Sequence, residues 1–193
     1  MTGRKQYNET EALDAAMTAF WNDGYEATSV QDLERATGLN KSSLYNAYGS
    51  KEQLFTRCME RFSELYGRRM QTELDQPDFR SAVEGFFGRL VARLEDEALP
   101  KGCLATMAAM EFGGAEGEAA RRVEANLDWM HHAFRERCVR AIEDGQLPRD
   151  ADAAAIAAML LAMTRGIAVL NRGHSDPDLV RRAVSGMIAS LTA

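Results

Sequence analysis

The stretch TSVQDLERATGLNKSSLYNAY, residues 28–48, decides the fold. Thr28 or Ser29 caps a first short helix, Val30 and Leu33 turn inward, and Gly38 ends it. Asn40 caps a second helix, Lys41 to about Tyr48, which Gly49 closes. Gly38 falls where the turn asks for a left-handed backbone that a Cβ would oppose. A short capped helix, a glycine-centred turn and a second short capped helix are helix-turn-helix proportions. The second helix opens with Lys41, Ser42 and Ser43, small polar residues suited to the end that enters a major groove. Their hydroxyls suit phosphates or base edges, whereas Leu44 sits where it locks the helix into the module's core.

On the N-terminal side, Asn8 and Glu11 read as a capping box, and Leu13, Met17, Phe20 and Trp21 recur at helical spacing until Asp23-Gly24. On the C-terminal side, Ser50 and Gln53 make another capping box and open a long helix carrying Leu54, Phe55, Cys58, Met59, Phe62, Leu65 and Tyr66 on one face. Pro77-Asp78 starts a helix with Phe79, Val83, Phe86, Phe87, Leu90, Val91 and Leu94, and Pro100-Lys101-Gly102 restarts the chain before a short helix from Cys103 to Gly113. A long helix spans about Glu118 to Glu143, another about Asp150 to Leu170, and a last stripe runs Val180, Val184, Met187, Ile188, Leu191. No strand alternation and no internal repeat is visible. The expectation is an all-α fold of about nine helices joined mostly by short loops.

Composition narrows the class. Hydrophobic residues at 46% and charged residues at 27% are ordinary for a globular protein. The longest apolar run, Ala153 to Met163, is half alanine and stops at Thr164-Arg165, so no membrane span is expected. No export signal opens the chain, and three widely spaced cysteines, Cys58, Cys103 and Cys138, suit reduced thiols in the cytoplasm. A net charge of −6 argues against indiscriminate nucleic-acid binding by the whole surface while leaving room for a local reading face. GxSxG, P-loop, Rossmann and paired-carboxylate signatures are missing and only three histidines are present, so an enzyme is not expected. No cofactor is expected. His131 and His132 lie on adjacent helix faces with no HxxxH or CxxC nearby, so no metal site is expected.

Four blocks then carry a resemblance. GYEATSV at 24–30, TGL at 37–39, SLY at 43–45 and GSKEQLF at 49–55 resemble the TetR signature in order and spacing, over roughly the first third of the chain. The resemblance implies a helix-turn-helix DNA-binding domain over 1–49 and a ligand-binding and dimerisation domain over 50–193. It implies a repressor that binds double-stranded, near-palindromic operator DNA as a homodimer and answers to a small-molecule effector. Lys41, Ser42, Ser43, Tyr45 and Asn46 fall on the implied recognition helix. Thr28 and Ser29 cap the helix before it, Tyr48 and Lys51 fall at the junction that grips the backbone, and Arg4 and Lys5 resemble a basic arm for the adjacent minor groove. Where family members often carry histidine this chain has Ala47, which removes one usual phosphate contact. Residues 1–55 hold five bases against eight acids, so modest nonspecific affinity and a shallow salt dependence are expected.

Pro100-Lys101-Gly102-Cys103-Leu104 further resembles a TetR subgroup with a Gly-Cys-Leu motif opening the sixth helix, which includes regulators that answer to electrophiles, acrylate or copper. The helix dipole and Lys101 would favour a Cys103 thiolate; the plain alternative is a small residue packed at a tight helix start. An apolar pocket is expected among Phe62, Tyr66, Phe86, Phe87, Leu90, Cys103, Met107, Met110, Trp129, Met130, Phe134 and Met163, although core and cavity residues look alike in one dimension. Dimerisation is assigned to Ile156, Met159, Leu160, Met163, Ile167 and Leu170 with Val180, Val184, Met187, Ile188 and Leu191; burial within one protomer is the alternative. A thiol-based redox or metal-sensing helical protein without DNA binding is the second reading.

Overall fold

The computed structural model describes residues 8–174, 176 and 178–191. Arg4 and Lys5 lie outside the described residues. The chain forms α1 (Glu9–Asp23), α2 (Val30–Thr37), α3 (Lys41–Tyr48) and α4 (Lys51–Phe62). The last continues without a break through a π-helical turn (Ser63–Gly67), α5 (Arg68–Gln71) and a 3-10 turn (Thr72–Asp75). There follow α6 (Phe79–Leu94), α7 (Leu104–Phe112), α8 (Glu118–Glu143), α9 (Ala153–Gly173) and α10 (Asp178–Leu191). With Lys51 to Asp75 counted as one rod, the described residues form nine helical rods and no strand. The all-α expectation stands.

The caps explain the boundaries. Asn8, Asn40, Ser50, Asp78 and Asp152 each accept backbone N–H bonds at the first turn of the helix they precede. Ser29 and Asp32 make a reciprocal capping box on α2, as Ser50 and Gln53 do on α4. Gly38 lies at φ 69°, ψ 7°, the left-handed region where an L side chain costs about 1–2 kcal/mol. The α2–α3 turn is therefore set by the backbone freedom of one residue.

One continuous apolar core runs from the three-helix module into the body. The module sits with α1 along α4, and the body is built on α8 against α9, α4 and α7. Phe20, Tyr25, Phe55 and Phe112 join the two parts, with ring centroids 4.9–6.0 Å apart. At the far end Arg137, 2% exposed, lies over the Phe79 ring and donates to the Pro77 carbonyl and to Gln146, fastening the start of α6 to α8.

Two expectations are corrected here. The helix expected over about Asp150 to Leu170 is α9, Ala153–Gly173, which carries the apolar run on past Thr164-Arg165 and, with mean hydropathy 2.0, is by length and composition long enough to cross a membrane, where the run alone looked too short. It nevertheless buries Ala157, Leu160, Thr164, Ile167 and Ala168 against the rest of the chain. The second correction concerns the large stripes assigned to dimerisation. Leu160, Ile167, Val180, Val184, Met187 and Ile188 are all buried within the protomer's own core. Ile156, Met163, Leu170 and Leu191 are half-buried, and Met159 alone of the set is exposed. The open side of α9 is instead a stripe of smaller residues, Ala155, Met159, Ala162, Gly166, Val169 and Gly173.

Candidate nucleic-acid interface and sensing cavity

The start of α3 stands free of the core. Lys41, Ser42, Tyr45 and Asn46 are exposed on one edge, while Leu44 points inward and is buried. Ser43 is half-buried, its N–H donating to the Asn40 side chain at 2.8 Å. The Lys41 ammonium lies 5.7 Å from the Tyr45 ring centroid. Ser29 is exposed at the N-terminus of α2, and Lys51 opens α4 with its ammonium 4.4 Å from the Tyr25 ring centroid. Ser29, the exposed start of α3 and Lys51 thus stand at the N-termini of α2, α3 and α4.

Thr28 and Tyr48 do not join them. Thr28 is fully buried and donates its hydroxyl to the Gly24 carbonyl at 2.5 Å, so Ser29 alone caps α2. Tyr48 is 3% exposed, with its hydroxyl on the Glu9 carbonyl at 3.0 Å and the Arg57 guanidinium over its ring. Both side chains hold the module together instead of lining its surface.

Many of the module's acids are engaged. Asp14 accepts two bonds from Arg61, Asp32 pairs with Arg35, Glu9 lies 3.6 Å from Arg57, and Glu34 accepts the Lys41 backbone N–H. Glu52 reaches across to the body and accepts from Glu118 N at 2.8 Å and Ala119 N at 3.0 Å, capping α8. The unfavourable charge count of the segment is thereby softened at the tip.

Behind the module, a small cavity of about 30 Å³ lies between the rod, α6, α8 and α9. Six of the twelve expected lining residues meet it: Phe62, Phe86, Leu90, Cys103, Trp129 and Met130. Phe87 and Phe134 instead stack within a sealed aromatic cluster with Phe86, and Met110 is 76% exposed. Tyr66 lines a separate hollow, Met107 and Met110 another beside Cys103, and Met163 is half-buried away from the cavity.

The wall is also less apolar than expected. Arg93 and Arg165 both line it, with Ser63, Asn126 and Thr164. Arg165 donates toward Cys103 Sγ at 4.0 Å and Thr106 Oγ1 at 3.4 Å. The Arg93 guanidinium lies among the Trp21, Phe62 and Tyr66 rings, 5.4–5.8 Å from their centroids. Sequence reasoning missed both arginines, although Arg165 is the single charged residue between Ala153 and Leu170.

Three links tie this region to the module. Arg93 stacks on Trp21 of α1. The Glu111 carboxylate accepts the Tyr25 N–H at 2.7 Å. Arg172 of α9 donates to the carbonyls of Asn22 at 2.7 Å, Trp21 at 3.4 Å and Lys101 at 3.1 Å, gathering the end of α1 and the loop before Cys103 onto one side chain.

The family description "Bacterial regulatory proteins, tetR family" matches residues 12–58, and "Tetracyclin repressor-like, C-terminal domain" matches residues 81–187. The chain belongs to the TetR family. Its relatives include the HTH-type transcriptional repressor ComR of Escherichia coli K12, 27% identical over 87% of this chain and 81% of that protein. The uncharacterized HTH-type transcriptional regulator YezE of Bacillus subtilis is 28% identical over 99% of this chain and all of that one. A cysteine-substituted CifR, solved with 26-base-pair double-strand operator DNA, superposes with a TM-score of 0.88 at 29% identity, covering 97% of this chain and 98% of that one. The relatives are transcriptional regulators and not enzymes, so the reading without DNA binding falls away.

In this TetR-family chain the three thiols differ sharply. Burial pushes the Cys138 thiol up to about 11, and burial with the nearby Asp14 carboxylate pushes Cys58 higher still. Burial also opposes ionisation of Cys103, but the Arg93 and Arg165 guanidiniums and hydrogen bonds from Thr106 hold it below the usual thiol range. The cations are thus α6 and α9 arginines, in place of the Lys101 expected. At neutral pH, iodoacetamide followed by mass mapping is expected to label Cys103 well before Cys58 and Cys138. Labelling of Cys103 no faster than Cys138 would contradict this order.

Proposed function

We propose that this chain is a repressor that holds a near-palindromic operator as a homodimer and lets go when the cavity is filled or Cys103 is modified. The observation that carries the reading is the exposed edge of α3, Lys41, Ser42, Tyr45 and Asn46, with Ser29 and Lys51 opening the helices before and after it. Residues 1–49 serve as the reader and 50–193 as the sensing and pairing domain, working in the cytoplasm where operator DNA is found. ComR, a named repressor, and CifR, solved on its operator, support the assignment.

A two-fold pair places two α3 helices in successive major grooves about 34–36 Å apart. The rod that begins at Lys51 also supplies Phe62, Ser63, Gly67 and Met70 to the cavity wall, so a ligand there bears on the element that carries the reader. A coupling of ~1–3 kcal/mol between the two sites is enough to switch operator affinity usefully.

The test separates grip from reading. Lys51→Ala is expected to weaken every operator variant alike and to lower the salt slope by about 1. Ser42→Ala and Asn46→Ala should instead cost about 1–3 kcal/mol at particular base pairs and leave others untouched. Fluorescence-anisotropy titrations over a panel of operator variants check both. Uniform losses for all three variants would contradict the roles assigned here.

A further inference from the structure

The long helix α8 begins without a cap of its own. Gly117 precedes it and has no side chain to offer the first N–H groups, which a helix does not satisfy internally. The missing acceptor comes from the start of α4. Glu52, in the first turn of that helix, takes the Glu118 and Ala119 N–H groups on one carboxylate oxygen, Oε1, at 2.8 and 3.0 Å. Negative charge is favourable at both helix starts, and here one carboxylate serves the two. Gly117 lies at φ 125°, and a Cβ there would stand 2.8 Å from the same oxygen, so the glycine keeps this seat open.

The contact is the end rung of a ladder. Glu60 lies 4.0 Å from Arg122, Ser63 accepts from the Asn126 amide at 3.0 Å, and Gly67 faces the Trp129 ring, which a Cβ would meet at 3.2 Å. Residue numbers rise together on the two sides, so the rod and α8 run parallel with both N-termini toward the reader. Glu52 is the rung nearest the DNA-reading helix, one residue from Lys51 and three from Gly49, which closes α3.

We propose that Glu52 is a positioning residue that sets the spacing between the two readers of a pair by locking the start of α4 to the N-terminus of α8. This rests on the two-fold, operator-bound pair described above and names the side chain that makes its spacing strict. The bodies place the readers, so tolerance for altered half-site spacing follows the stiffness of the joint between reader and body. Apolar packing around Phe55 holds that joint together but has little direction. Two hydrogen bonds from one carboxylate oxygen to consecutive amides do have direction. Because α8 also supplies Asn126, Trp129 and Met130 to the cavity wall, a shift of α8 reaches the reader through the same rung.

The test uses an operator recovered by genomic selection, with one base pair inserted or removed at its centre. Each change moves a half-site by about 3.4 Å and turns it by about a tenth of a turn. Wild type is expected to lose at least about tenfold in affinity on either altered operator. Glu52→Ala should narrow that penalty to under about threefold, and Glu52→Gln, which keeps an acceptor oxygen in place, should restore it. Gly117→Ala, which displaces the carboxylate from the body side, should behave as Glu52→Ala does. It carries the comparison if Glu52→Ala fails to fold. A penalty that Glu52→Ala leaves unchanged, even with weaker binding to all three operators, overturns the proposal, as does a wild type indifferent to spacing. Amide exchange by NMR on DNA-free protein gives a second reading. Glu118 and Ala119 should exchange at least about tenfold faster in Glu52→Ala, and equal rates overturn the proposal. A wild type that retains no operator at all removes the repressor reading and this proposal with it; one that binds and discriminates as Glu52→Ala does removes the proposal alone.

Discussion

Val169→Glu is expected to give a monomer whose operator affinity is lower by about two to four orders of magnitude, the loss that follows when two linked binding events become independent. Val169 is 51% exposed and Met159 40%, and both sit on the open side of α9. With Ala155, Ala162, Gly166 and Gly173 they follow separations of four and three residues, the spacing of one continuous helix face. The stripe is apolar yet largely small, which lets a second helix approach closely. Only 28% of the helix's most apolar window is buried by the rest of the protomer. In a pair formed through this face, a carboxylate at position 169 has to be desolvated against the partner's apolar stripe. Sedimentation velocity and operator titration read the two consequences together. A variant that remains dimeric and binds as the parent does would show that this face is not the pairing surface.

Phe55→Ala is expected to lower stability by about 3–5 kcal/mol, as removal of a fully buried phenylalanine generally does. Phe55 is 1% exposed and lies edge-on or stacked against Phe20, Tyr25 and Phe112 at 5.1–5.2 Å. Those three partners come from α1, from the turn before α2 and from α7, so the side chain is the pin between reader and body. For a chain of this size each kcal/mol moves the melting temperature by about 2–4 °C, so a fall on the order of 6–20 °C is expected in scanning calorimetry. A fall under about 2 °C would mean that the cluster rearranges around the gap, contrary to the packing described.

How much of this was legible in the sequence depends on the kind of feature. Caps and turns are local, and Ser29, Gly38, Asn40, Ser50 and Asp78 announce helix boundaries that the structure reproduces. The exposed edge of α3 follows from the same local logic, since Leu44 fixes which way the helix faces. Thr28 and Tyr48 sit beside that edge in sequence but one step around each turn, which carries their hydroxyls inward to Gly24 and Glu9. Apolar periodicity shows that a face is buried without showing by what. The large stripes on α9 and α10 are therefore indistinguishable from an interface until Leu160, Ile167 and Val184 are seen inside the protomer. The many alanines and glycines flanking those stripes suit close helix approach, but their weak hydrophobic signal does not show that they, and not the large stripes, form the open side of α9. Arg93 and Arg165 were hidden for the opposite reason. A long charged side chain on an apolar helix is usually solvated at its tip, and only the tertiary arrangement brings these two tips to one cavity.

The measurement that bears most directly on these conclusions is the stoichiometry of the protein on DNA recovered by selection from genomic fragments. Multi-angle light scattering of that complex should give one pair of chains per duplex, on a site whose half-sites lie about 10 base pairs or a multiple apart. A protein that stays monomeric and retains no fragment in any round of selection would contradict the pairing and the DNA-reading role together.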